Sequence, residues 1–275
     1  MTLDKKFVKK NKSFIIFSIM ALAIVLIGVC APMIATHDPT EAVLKDALQA
    51  PSSAHLFGTD KMGRDVFSRV IYGTRISLSS SLILVAVILV IGTIMGVLAG
   101  YFGGIVDTVI MRIADMMISF PGMVLAIAVA GILGASITNA IIAVAAVSWT
   151  KYARLSRSLV LKIRHKDYVY AAILTGSKTP YMLVRYMLPN AIPMLVITAA
   201  TDIGSMMLEL AGLSFLGFGA QPPLAEWGLM LNEGRVYMQN APWCMLAPGV
   251  AIFIVVVVFN LLGDSLRDVL DPRDE

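Results

Sequence analysis

Tyr170-Ala171-Ala172-Ile173-Leu174-Thr175-Gly176, followed by Tyr186-Met187-Leu188-Pro189, lies where a basic segment separates two long apolar ones. Ala171, Ala172 and Gly176 remove side-chain bulk, so a short helix here can turn back closely against its neighbour. Pro189 suits the first turn of the next helix, where its missing N–H is one of the unpaired donors anyway. Arg164, His165, Lys166 and Lys178 hold the segment in water, while Leu174, Tyr181, Met182 and Leu183 offer apolar contact to a partner. Two readings follow: an ordinary solvated loop between spans, or a hairpin at the membrane face that a separate protein grips.

The sequence on either side is that of a membrane protein. Only 15% of the 275 residues are charged and 58% are hydrophobic, against roughly 25% charged in a soluble domain. A bilayer core of ~30 Å needs about 20 apolar residues in a helix. Residues 13–36, 76–106, 116–150 and 236–263 carry no charge, and 189–213 is apolar except for Asp202 and Glu209. Residues 116–150 are too many for one crossing, and 131–136 (GILGAS) supply a turn within them. The reading is an all-α integral membrane protein with six transmembrane helices, near 14–36, 77–101, 110–133, 137–158, 190–213 and 243–263. Residues 1–75 form an N-terminal anchor and outer segment; 76–275 form the core, with the hairpin at 163–189.

Charge placement orients it. With the N-terminus inside, sixteen of the 22 lysines and arginines fall on cytoplasmic segments, Lys5, Lys6, Lys9, Lys10 and Lys12 among them, and six fall outside. The positive-inside rule therefore places both termini and the Tyr170 segment in the cytoplasm. The basic start and long apolar run of the first span favour a retained anchor over a cleaved signal. The net charge of +4 is a topology signal and does not argue for nucleic acid. Cys30 and Cys244, at opposite span ends, are expected to pack rather than pair.

On the outer side, Val66, Phe67, Val70 and Ile71 recur at helical spacing opposite Asp65, Ser68 and Arg69, which predicts an interfacial helix before the second span. Residues 214–242, with Pro222-Pro223, Trp227 and Tyr237, are long for a turn and suggest an outer vestibule. Gly92, Gly96, Gly100 and Gly104 recur every four residues, a small-residue ridge along which another helix approaches closely.

The hairpin resembles the EAA loop of permease subunits of ATP-binding-cassette importers, Glu-Ala-Ala-x3-Gly-x9-Ile-x-Leu-Pro. It matches at Ala171, Ala172, Gly176, Leu188 and Pro189, with Tyr170 in place of the glutamate and Tyr186 in place of the isoleucine. The peptide/nickel branch of that family is also similar at Phe57-Gly-Thr-Asp-x-x-Gly-Arg-Asp65, Ser119-Phe-Pro121, Leu213-Ser-Phe-Leu-Gly217, Glu226-Trp-Gly228 and Leu261-Leu-Gly-Asp-Ser-Leu-Arg-Asp268. The resemblance covers nearly the whole chain. It implies a type I ABC importer permease fold with a cytoplasmic coupling helix between the fourth and fifth spans, at Tyr170, Ala171, Ala172, Gly176, Leu188 and Pro189. It further implies a second similar permease, two cytoplasmic ATPase subunits that use ATP and Mg, an extracytoplasmic solute-binding protein, and a prokaryotic inner membrane. Either 57–75 or 214–242 would meet the binding protein.

The chain carries no catalytic signature of its own. Gly176-Ser-Lys-Thr179 lacks the glycine before the lysine that a phosphate-binding loop needs. Gly212-Leu-Ser-Phe-Leu-Gly217 spaces its second glycine one place too late for a nucleophile elbow. His37, His55 and His165 show no paired spacing, so no familiar zinc site is expected. A stand-alone secondary transporter would call for midplane charges in two repeated halves.

Substrate signals concentrate in the fifth span. Asp202, Met206 and Glu209, at i, i+4 and i+7, share one helical face within about 11 Å. Carboxylates in a span usually face a bundle interior or a watery path. They read either as a transient metal path, with Asp202 and Glu209 as ligands and Met206 adding a soft sulfur, or as groups paired with another helix. Asp115 and Arg112, one turn apart, read as a structural pair. The stretch from Asp202 to Gly217 looks more like nickel permeases than dipeptide permeases, which favours nickel or a related metal, free or chelated, with short peptides as the alternative.

Overall fold

The computed structural model describes residues 11–270 and is helical throughout, with no strand among them. The helices are α1 (Lys12–Val29), α2 (Ala31–Ile34), α3 (Val66–Phe102), α4 (Gly104–Ile118), α5 (Gly122–Leu133), α6 (Ile137–Arg164), α7 (Asp167–Leu174), α8 (Thr179–Met182), α9 (Leu188–Phe215), α10 (Trp227–Gly234) and α11 (Trp243–Leu270). A π-helical turn, Leu183–Met187, joins α8 to α9. Lys5, Lys6, Lys9 and Lys10, and Arg273 near the other terminus, all among the sixteen basic residues assigned to the cytoplasm, lie outside the described residues.

Four helical stretches are long and apolar enough to cross a bilayer: α1, α3, Thr179–Phe215 and α11. A fifth is possible only if α4 and α5 count together, and these meet at an angle of 92°. The continuous third span expected over 110–133 is therefore corrected: the chain turns at Ser119-Phe120-Pro121, where Pro121 caps α5. The expected turn after the third span is present, with Gly134 at φ +90° and Ser136 accepting from the Asn139 N–H at the start of α6. Helix α6 is long enough to span, but Lys151, Arg154, Arg157, Lys162 and Arg164 lower its hydropathy. Many apolar side chains of α1, among them Ile19, Leu22, Leu26 and Val29, are exposed, as lipid contact requires.

The separate interfacial helix is also corrected. Residues 66–102 form one unbroken helix of 37 residues, and its expected polar face points inward. Arg69 is 1% exposed. It donates to the carbonyls of Pro39 (3.1 Å), Pro223 (3.4 Å) and Leu224 (3.2 Å), and to Glu233 (3.1 Å). Arg64 bridges Asp60 (2.7 Å) and Glu233 (2.8 Å). Buried arginines persist only when paired and fully hydrogen-bonded, and this network supplies both conditions while tying residues 39–69 to 223–233.

Glycines position the core. Gly92, Gly96 and Gly100 lie against α6, where an added Cβ would meet Tyr152 Cβ at 2.5 Å, Ser156 Cβ at 2.7 Å and Val160 Cβ at 2.9 Å respectively. The packing ridge holds for these three. Gly104 is not part of it: α3 ends at Phe102, Gly104 has φ +55°, and nothing lies near its Cβ position. The cysteines are unpaired, Cys244 buried and Cys30 partly so.

Glu226 shows how the segment after α9 is held. Buried to 2% exposure, its carboxylate caps α10, accepting from the N–H groups of Gly228 (2.9 Å) and Leu229 (2.8 Å) and from Ser77 Oγ (3.3 Å). Burial pushes its carboxyl pKa above the ordinary range, and these hydrogen bonds oppose that shift. A carboxyl raised in the folded state holds its proton more readily there than in the unfolded chain, so its contribution falls as pH rises through and above the unfolded value of about 4.3. Glu226→Ala should cost about 2 kcal/mol through lost capping and unpaired donors, seen as a lower thermal midpoint. Glu226→Gln should cost less and should flatten the decline of stability with rising pH.

Candidate functional site

The fifth-span residues face a cleft of about 400 Å³ bounded by Ile88 of α3, the α4–α5 bend (Met117, Ile118, Phe120, Gly122), Val147, Ser148, Thr150 and Lys151 of α6, and Asp202, Ser205, Met206 and Glu209 of α9. Asp202, Met206 and Glu209 thus come together on one wall. Their states differ. Asp202 is buried and engaged: Lys151 Nζ stands 2.6 Å from its Oδ1, and the Tyr152 hydroxyl donates to its Oδ2 at 3.0 Å. Lys151 keeps 59% of its side chain exposed, so the ammonium is both anchored and open to the cleft. Glu209 has no hydrogen-bond or ion-pair partner among the described residues.

Of the two readings of this face, pairing with another helix therefore holds for Asp202, while Glu209 is the available carboxylate. Sequence reasoning missed Lys151, whose signal was its place as the first charge after the long uncharged run of residues 116–150. It also mispaired Asp115: Arg154 of α6 holds that carboxylate at 2.6 Å, and a turn further on Arg157 grips Asp107 in a two-pronged pair at 2.5 Å each. Arginine's planar fork matches a carboxylate in this way, and these pairs join α4 to α6.

At the far end of α3 and α6, the Tyr170 segment forms a helical hairpin. Helix α7 ends at Leu174 with Thr175 as its C-cap, and Gly176 reverses the chain at φ +81°, a left-handed conformation that costs glycine nothing. Val169 and Ala172 pack beneath with Val97, Val160, Ile163, Met182 and Met187. The small residue at 172 is thus a contact surface for the bundle, 5% exposed. Met182, expected to face a partner, is corrected to the core at 0% exposure, because α8 turns it inward. The outward face carries Tyr168, Tyr170, Ile173, Leu174 and Tyr181, with Leu174 88% exposed. Tyr170, in the glutamate position, is within 3.0 Å of His165 Nδ1 through its hydroxyl. Leu188 and Pro189 open α9 beyond the π-helical turn.

Residues 92–274, spanning both the hairpin and the cleft wall of α9, match the model of the binding-protein-dependent transport system inner membrane component. The chain belongs to that family. The permease is 42% identical over 268 residues to a dipeptide transport system permease of Alkalihalophilus pseudofirmus, covering 98% of this chain and 88% of that one. It is 43% identical over 258 residues to the nickel transport system permease of Escherichia coli K12, covering 92% and 93%. It is also 43% identical over 256 residues to a glutathione transport system permease of Pectobacterium atrosepticum, covering 93% and 85%. Among solved structures, an amino acid ABC transporter with histidines matches with a TM-score of 0.53 at 18% identity, over 75% of this chain and 94% of that one, a likeness of fold.

The permease is thus a multi-pass inner-membrane protein of the peptide/nickel branch of ABC importers. It is not an enzyme; ATP hydrolysis belongs to separate subunits of such a system.

Proposed function

We propose that this permease forms half of an import path for small solutes carrying both an amine and a carboxylate, short peptides first. The observation that carries the reading is the cleft wall: an unpartnered Glu209 carboxylate near an exposed Lys151 ammonium that Asp202 holds in place. Glu209 draws an amino terminus and Lys151 a carboxylate. With Asp202 engaged, one carboxylate and the Met206 thioether are a thin ligand set for a bare divalent ion. A nickel ion that brings its own chelating carboxylates and amines presents the same chemistry as a peptide, and the 43% identity to a nickel permease supports it as the second reading.

The test is uptake by the complete importer in proteoliposomes. Glu209→Gln should lower uptake of a labelled dipeptide about tenfold, the loss of one charge-assisted contact, with the ATPase subunits still bound. Undiminished dipeptide uptake combined with lost nickel uptake would overturn the peptide reading.

Six crossings complete the proposal. α6 serves as the fourth, with Lys151 facing the cleft and Arg154 and Arg157 paired to α4 rather than facing lipid. The α4–α5 pair serves as a broken third, as is usual where irregular backbone lines a cavity. Both termini and the 163–189 hairpin face the cytoplasm, where α7 acts as the coupling helix on one of two ATPase subunits. A second permease completes the path, and 57–75 or 214–242 receives the solute-binding protein.

A further inference from the structure

His37, His55 and Asp65 are distant in sequence, yet their ligand-capable atoms all lie within 4.8 Å of one another. No paired spacing links these histidines in the sequence, and the fold supplies the proximity that the spacing lacks. His55 Nδ1 stands 3.0 Å from Asp65 Oδ1, His37 Nδ1 stands 3.8 Å from Asp65 Oδ2, and the two imidazole centroids are 4.8 Å apart.

The three groups are held with graded freedom. Asp65 is buried at the base, locked as the N-cap of α3 by the Ser68 N–H at 2.8 Å. The His55 side chain is 14% exposed, and that of His37 is 42% exposed at the rim. The backbone N–H of His37 donates to Ser68 Oγ at 3.0 Å, which pins its Cα above the carboxylate, while its ring Nδ1 lies 3.0 Å from the exposed Thr36 Oγ1. Ligand atoms around a tetrahedral ion with bonds of ~2.0–2.1 Å lie about 3.3 Å apart. The His55–Asp65 separation of 3.0 Å is close to that spacing, and the exposed His37 ring, 3.8 Å from Asp65, closes the rest by turning out of its contact with Thr36 Oγ1.

We propose that His37, His55 and Asp65 bind a divalent transition-metal ion, with a remaining position open to water. Two imidazoles and one carboxylate suit Zn²⁺, Ni²⁺ or Co²⁺ and disfavour Mg²⁺ and Ca²⁺. The ion ties three segments together: the chain leaving α2, the turn at 52–58, and the first turn of α3. It sits at the opposite end of α3 from the coupling hairpin, about 50 Å away at 1.5 Å per residue, so the proposal does not depend on what passes through the cleft.

Equilibrium dialysis of the full-length permease, tag-free and chelator-stripped, against Zn²⁺ and then Ni²⁺ tests it. One equivalent per chain is expected, with a thermal midpoint raised by the metal. His37→Ala, at an exposed position, should keep the metal-free midpoint and bind at least about tenfold more weakly, since even losing an outer partner of a ligand costs that much. His55→Ala should weaken binding as much, with a lower metal-free midpoint because the buried Asp65 loses its 3.0 Å partner, and His165→Ala should bind as the parent does. If the parent takes up no more metal than the His37→Ala, His55→Ala double variant, the cluster is a hydrogen-bonded histidine–aspartate pair and the proposal falls.

Discussion

Gly96→Leu is expected to abolish the folded permease. The Cβ would strike the Ala153 carbonyl oxygen and approach Ser156 Cβ at 2.7 Å. A neighbouring side chain can rotate away, but a helical carbonyl cannot move without displacing α6 as a whole. Overpacking a close-packed core costs typically 1–3 kcal/mol, and a backbone collision belongs at or beyond the upper end, so at least about 3 kcal/mol is expected. That is a large share of the stability of an ordinary domain. Membrane abundance and the thermal midpoint in detergent both report it. Gly131→Ala is the matched control, because its Cβ would find only Phe218 Cε1 at 3.6 Å. A parental midpoint in Gly96→Leu would refute the close approach of α3 to α6.

Leu174→Glu is expected to leave abundance unchanged and to stop transport. Leu174 is 88% exposed on α7, so the charge costs the isolated permease little. If α7 seats in an ATPase cleft, an apolar anchor lost and a charge buried there cost about 2 kcal/mol or more, and ATPase co-purification and uptake fall at least about tenfold. Met182→Glu should do the opposite, destabilising the permease itself, because Met182 is fully buried. Parental uptake by Leu174→Glu would remove α7 from the docking surface. Reaction of Leu174→Cys with an impermeant maleimide added only to the outer face would reverse the orientation.

Local patterns were legible in the sequence, and pairings across the fold were not. Gly92, Gly96 and Gly100 announced their packing because a period of four is a property of one helix. The turn at Gly134–Ser136 was legible from small residues inside an over-long apolar run. The break at Ser119-Phe120-Pro121 was hidden inside continuous hydrophobicity, which does not change when a helix bends by 92°. Arg69 looked like an outward-facing residue of an amphipathic stretch because its acceptors, Glu233 and three carbonyls, lie on distant segments. The partners of Asp115, Asp202 and the His37–His55–Asp65 cluster were missed for the same reason. In each case the deciding neighbour is at least ten residues away and no local period encodes it.

The Arg69 network also constrains the order of events at the ribosome. The Pro223 carbonyl and the Glu233 carboxylate that satisfy this guanidinium are synthesised 154 and 164 residues after it. At 5–20 residues per second, the nascent chain carries this arginine with only its earlier partners, the Pro39 carbonyl and the Asp60 carboxylate, for roughly 10–30 s. During that interval the insertion machinery, water or lipid headgroups must satisfy its remaining donors, so the first third of the permease waits on the last fifth to settle.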